Sequence, residues 1–173
     1  MLRADEYRAA VGRRVDVGHL VGAKEAAERL GLRRVQRLYE LRRAQPDFPD
    51  PLYRTSPGRG GTGVWYWPDI WRWARASGRP EFADLPPLRR SSPLPVRRVD
   101  IGDLIAGKAM GARLGLQHPR SFHVRATTDP TFPAAVWSSN GGRGGTRLWV
   151  WSDVARWDRQ RERRHDAQRP RGR

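Results

Sequence analysis

Apolar positions along the chain fall into short periodic runs separated by glycine, proline and arginine. Ala23, Ala26, Ala27 and Leu30 recur at i, i+3, i+4 and i+7, which lays one apolar stripe along a helix over about 23–30. Gly31 follows where a left-handed C-terminal cap would sit. Val35, Leu38 and Leu41 give a second helix, about 33–44, its inner face, and Pro46 stops it. Leu52–Thr55 and Val64–Trp67, joined through SPGRGGTG, predict a two-stranded hairpin with a long glycine-rich tip. Pro68 and Asp69 suit the first turn of a third helix: the amide that proline lacks would be unpaired there, and a carboxylate complements the helix dipole. Ile70, Trp73 and Ala74 form the inner face of that helix.

The same order then recurs. Val15–Trp73 realigns without a gap on Val99–Trp157, and about 22 of 59 aligned positions are identical, far above chance at so long a period. VDVGHLVGAK answers VDIGDLIAGK, and RLGL and GRGGT stand in both copies. In the second copy Ala112 and Leu114 echo the first helix, while Gly107 and Gly111 replace alanines and weaken it by about 1 kcal/mol each. Its second helix is predicted from near Pro119, with Phe122 in the place of Leu38, and its strands at Ala135–Ser138 and Leu148–Trp151. The expected organisation is an N-terminal extension (1–14, short, charged and weakly helical in pattern), unit 1 (15–76), a Pro/Arg-rich linker (77–98), unit 2 (99–159) and a basic disordered tail (160–173) that leaves the last helix as a frayed end.

A unit of this size buries only about 60% of its unfolded surface, so its core must be dense. The eight tryptophans answer that need, since each ring buries on the order of 150–250 Å². Trp65, Trp67 and Trp73 recur as Trp149, Trp151 and Trp157 at the spacing of strand and helix core positions, which favours packing over base stacking. Trp71 and Trp137 have no tryptophan counterpart and are expected to be partly exposed.

Charge changes the picture. Lys and Arg number 34 against 18 Asp and Glu, a net +16. Such an imbalance repels itself in a compact chain and points to a polyanionic partner, nucleic acid ahead of an anionic membrane surface. GC-rich coding explains arginine over lysine, but not the excess over acids. Cysteine is absent, which excludes disulfides and thiolate metal sites. The N-terminal residues carry no apolar signal core and no run is long enough to span a bilayer, so the expected location is the cytoplasm, in association with the nucleoid. The four histidines do not cluster with carboxylates, and G-x-S-x-G, HExxH and carboxylate-dyad patterns are missing. The expectation is therefore no enzyme activity, no cofactor and no metal site.

Helix, glycine turn, helix, hairpin, helix is the order of a winged helix–turn–helix, whose second helix enters the major groove. LVGAKEAAERLGL, a basic second helix, D-F-P-D-P, a glycine-rich hairpin and VWYWPDIWRWA resemble the MerR-like winged helix–turn–helix family, and within it the short excisionase-type proteins. The likeness covers most of 18–76 and, more faintly, 102–159. It implies an α+β, mostly α fold of two tandem winged helix–turn–helix units that bind double-stranded DNA. Nothing here corresponds to the coiled coil or effector domain of full MerR regulators, so no small-molecule effector domain is implied.

With Val35, Leu38 and Leu41 turned inward, the second helix shows Arg33, Arg34, Gln36, Arg37 and Arg43. Arginine pairs bidentately with guanine and glutamine with adenine, and residues near the helix start go deepest, so Arg34, Gln36 and Arg37 are the base-reading candidates. Tyr39 either packs at the edge or hydrogen-bonds a phosphate. Arg59 and Arg143 sit in the identical GRGGT tips, where a glycine loop lets an arginine approach the backbone or a narrow minor groove; a turn that merely needs positive φ is the alternative. In the second unit His118, Arg120 and Ser121 are the candidates, with less charge and Arg125 in place of Leu41. Treated as coil, the linker would span about 26 Å, and extended about 68 Å, enough for both units to engage one duplex, direct repeats being favoured over a palindrome. The partners read from the sequence are double-stranded DNA and a second copy along DNA or another DNA-binding protein. Transcriptional regulation is the leading reading. Excisionase-type or other architectural DNA binding is the first alternative, and a protein-interaction module with non-specific nucleic-acid affinity the second.

Overall fold

The computed structural model describes residues 12–54, 62–90, 96–116, 119–139 and 145–168. Over these the chain is an α+β protein of helices and three small antiparallel sheets. It divides into two compact units, Met1–Gly102 and Asp103–Arg173.

The first unit runs β1 (Arg14–Asp16), a 3-10 turn, β2 (Leu20–Gly22), α1 (Ala23–Arg29), α2 (Val35–Ala44), β3 (Tyr53–Arg54), β4 (Gly63–Tyr66), α3 (Trp67–Ala76), a second 3-10 turn (Pro80–Phe82) and β5 (Arg98–Asp100). The expected two-stranded hairpin gains a third strand: β4 lies between β3 and β2, with Val21 opposite Trp65 and Tyr53 opposite Val64. All three residues of β2 are buried, so no polar alternation marks it in the sequence. Gly63 is required locally, because a Cβ there would stand 2.7 Å from the Trp65 ring. The core joins Leu30, Leu38, Leu41, Phe48, Trp65, Trp67, Ile70 and Trp73. Trp73 meets Phe48 edge-on with ring centroids 4.6 Å apart. Trp71, as expected, is half-buried.

The linker expected at 77–98 is not a free tether. Phe82 is 1% exposed and belongs to the first unit's core, 5.7 Å from Trp73 between ring centroids. From there the chain is strapped down by side chains of the helices it crosses. Arg75 donates to the Ala83 carbonyl (2.9 Å), Trp71 to Pro86 (3.0 Å) and Arg29 to Arg89 (3.0 Å). Arg90 closes the strap on the buried Asp16, Nε to Oδ2 at 2.8 Å. Burial pushes the Asp16 pKa up, but the hydrogen bonds from Arg90 and the Gly18 amide and the Arg90 charge outweigh it and hold the carboxyl below its ordinary value. Proline- and arginine-rich composition concealed this, because one buried ring and a row of backbone acceptors suffice to fix the segment.

The second repeat begins inside the first unit. Strand β5 pairs antiparallel with β1, and Val15 faces its own repeat counterpart Val99. Both strands read Arg-Val-Asp, so pairing about the valines sets Arg14 opposite Asp100 and Asp16 opposite Arg98. Opposite charges directly across a strand pair stabilise it, so the tripeptide is self-complementary. Val17 N donates to Arg97 O (2.9 Å) and Ile101 N to Arg13 O (3.1 Å), extending the pairing at both ends.

The second unit contains β6 (Leu104–Ala106), α4 (Gly107–Arg113), α5 (Pro119–Thr128), β7 (Trp137–Ser138), β8 (Arg147–Val150) and α6 (Trp151–Gln168). Its sheet repeats the order of the first, β8 lying between β6 and β7. Phe122 is fully buried and touches Trp149 and Phe132 edge-on, at 5.1 and 5.5 Å. Trp137, expected to be partly exposed, is buried opposite Leu148. The basic tail, expected to fray into disorder from 160, continues the helix to Gln168; 169–173 lie outside the described residues. Arg161 lies over the Trp157 ring (5.5 Å) and pairs with Asp158 (3.2 Å), which carries the helix past the core. Among the described residues no helix is long and apolar enough to cross a membrane, and no group of His, Cys, Asp or Glu could hold a metal ion.

Phe82→Ala should destabilise the full chain by about 3–5 kcal/mol in denaturant unfolding. Leu88→Ala, on the same strap but 41% exposed, should stay within about 0.5 kcal/mol. Equal, small effects at both positions would contradict the strap's place in the core.

Candidate nucleic-acid interface

The candidate interface is built on the turn between α1 and α2. Gly31 takes φ +72°, and Gly115, its counterpart, φ +64°. Around Gly31 the Leu32 amide donates to Ala27 O (2.9 Å) and the Gly31 amide to Glu28 O (3.0 Å). Around Gly115 the same pair runs from Leu116 to Gly111 O (2.9 Å) and from Gly115 to Ala112 O (3.2 Å). This is the Schellman pattern, which satisfies the last helix carbonyls and needs a residue in the left-handed region. It explains RLGL in both copies: leucine closes the helix, glycine turns left-handed, and the second leucine folds back onto the core.

Helix α2 then presents two faces. Leu38 and Leu41 are buried and Val35 packs half-buried against the core. Arg33, Arg34, Gln36, Arg37 and Arg43 are all exposed, as their spacing predicts. Arg34 sits at the N-cap with extended backbone, no side chain caps the helix, and no acidic residue stands in its first turn. By contrast α1 carries Glu25 and α3 carries Asp69 at that position. The positive end of α2 thus gathers further positive charge and leaves its first amides free of side-chain acceptors, a local field suited to an anion.

The arginines differ in their ties. Arg37 pairs with Glu40 at 2.9 Å, but its side chain is 62% exposed, and a surface pair of this kind holds its partner by only about 0–1 kcal/mol. Arg42 is fixed more firmly on Asp50, at 2.6 Å. Tyr39 is half-buried, its ring 6.3 Å from Trp65, so packing is part of its role. It also lines an open concavity of about 510 Å³ with Gln36, Arg43, Asp50 and Arg54. Arg54 was not singled out from the sequence. It is the outward residue of a two-residue strand whose other member, Tyr53, is buried, an alternation too short to read.

In the second unit Ser121 lies half-buried on α5. Arg59, His118 and Arg143 lie outside the described residues, as does the side chain of Arg120. No family model, curated protein sequence or solved structure matches this chain.

Nothing lies within 4 Å of a Cβ built at Gly31, so Gly31→Ala isolates the backbone cost. The variant should lose about 1–2 kcal/mol of stability in denaturant unfolding. An unchanged or raised midpoint would contradict the left-handed turn that sets α2 in place.

Proposed function

We propose that the chain is a sequence-preferring double-stranded DNA-binding protein acting in transcriptional control, built from two MerR-like winged helix–turn–helix units. The observation that carries this reading is the outward face of α2. Arg33, Arg34, Gln36 and Arg37 stand exposed at an uncapped helix start and Arg43 is exposed in its last turn, while the opposite face is committed to the core. Net charge of +16 supports the same partner.

In this reading α2 enters the major groove. Arg34 and Arg37 pair with guanine O6 and N7, and Gln36 pairs with adenine N6 and N7. Breaking the exposed Arg37–Glu40 pair costs little, so Arg37 is available to a base. Arg43 and Arg54, on the rim of the concavity beside Tyr39, take backbone phosphates, which fix position without reading sequence. Arg59 and Arg143, in the two identical GRGGT stretches, are assigned to the backbone or the minor groove. No catalytic group, metal or cofactor enters this mechanism. Joining two weak readers in one chain makes the second contact intramolecular.

Binding to duplex DNA should weaken by about 10³–10⁵ between 50 and 200 mM salt if six to ten phosphates are contacted. On the preferred duplex Arg37→Ala should cost about 1–3 kcal/mol and relax base preference at one position. Salt-insensitive binding, or an Arg37→Ala loss that is equal on every sequence, would contradict base reading by α2.

A further inference from the structure

The two second helices have the same fold position but different outward chemistry. On α5 Phe122 points into the core, fully buried. At about 100° per residue, Val124 falls on the opposite side, and Ser121, Thr127 and Thr128 share its stripe at spacings of three and four. Val124 is 57% exposed. Thr127 Oγ1 donates to the carbonyls of His123 and Val124, both at 2.9 Å, and Thr128 Oγ1 to Val124 O at 2.8 Å. With both hydroxyls turned back onto the helix, the threonines add methyl groups to the exposed valine. The corresponding positions on α2 are Arg37, Glu40, Arg43 and Ala44, charged at three places where α5 has Ser121, Val124 and Thr127; Arg120, four residues before Val124, keeps one positive charge at the start of the α5 stripe.

Three β-branched residues on the solvent side of a ten-residue helix work against helix formation, since each is a poorer helix former than alanine. Burial does not reward them here: Val124, Thr127 and Thr128 are all exposed. Their placement is explained if the stripe meets an apolar group that protrudes from an otherwise polar surface. In the major groove that group is the C5-methyl of thymine, the one apolar feature among the base edges.

Resting on the reading of the chain as a duplex-DNA binder, we infer that α5 reads thymine through its methyl group, with Val124 as the specificity-determining contact. The first unit then selects guanine-containing sequence through α2, and the second a thymine-containing one. The two copies have diverged into readers of different bases.

The test uses the full chain and its preferred duplex, with each thymine replaced in turn by deoxyuridine, which removes only the methyl group. At one position the wild-type chain should lose about three- to fivefold in affinity, as expected for one desolvated methyl contact. Val124→Ala should lose a similar factor on the thymine duplex and nothing further on the deoxyuridine duplex, because the two changes remove the same contact. The variant's fold is not at risk, since the position is exposed and alanine is the better helix former. If no deoxyuridine effect depends on Val124 while Arg37→Ala still alters base preference, the inference is overturned and the DNA-binding reading stands. The stripe would then face another class of partner, such as protein. If the chain binds no duplex at all, both fall.

Discussion

A glycine in the left-handed region closes the turn after the first helix of each unit, and everything offered to a partner depends on it. Gly31 lets Leu32 fold back, which sets the direction in which α2 leaves the turn. Only with that direction do Leu38 and Leu41 reach the core and the arginines remain outside. The charged face is therefore a consequence of the packing, since each residue's side of the helix follows from which neighbours the turn brings near. Gly115 imposes the same geometry on α5, where Phe122 takes the inward position and Val124 is left exposed.

The second constraint is size. A unit of about 60 residues has too little interior to hold itself with aliphatic side chains alone. The first unit meets this with clustered tryptophans and by recruiting chain from beyond its own repeat. Phe82 completes the aromatic cluster, Arg90 neutralises the buried Asp16, and β5 pairs with β1. The unit therefore ends later than its repeat does. What composition marks as a spacer is structural over 77–90, and the self-complementary Arg-Val-Asp tripeptide binds the start of the second repeat to the start of the first.

The helices were legible because their signals are local and periodic. Four alanine and leucine positions define α1, Pro119 opens α5, and Gly31 announces its own φ. Strand β2 was not legible, because a fully buried three-residue strand shows neither alternation nor length. Nor was the strap, which depends on tertiary acceptors that no sequence window contains. At the interface, the exposed arginines followed directly from knowing which residues face inward. Arg54 and the firm tie of Arg42 to Asp50 did not follow, because each depends on how the chain after α2 returns to it.

The central claim is that the outward face of α2 lies against duplex DNA. It is tested most directly by placing a photoreactive side chain at Gln36 of the full chain and irradiating its complex with the preferred duplex. The account requires crosslinks to bases, at positions confined to one short stretch of sequence. A bound chain that gives no crosslink from Gln36, or crosslinks scattered without regard to sequence, would contradict it.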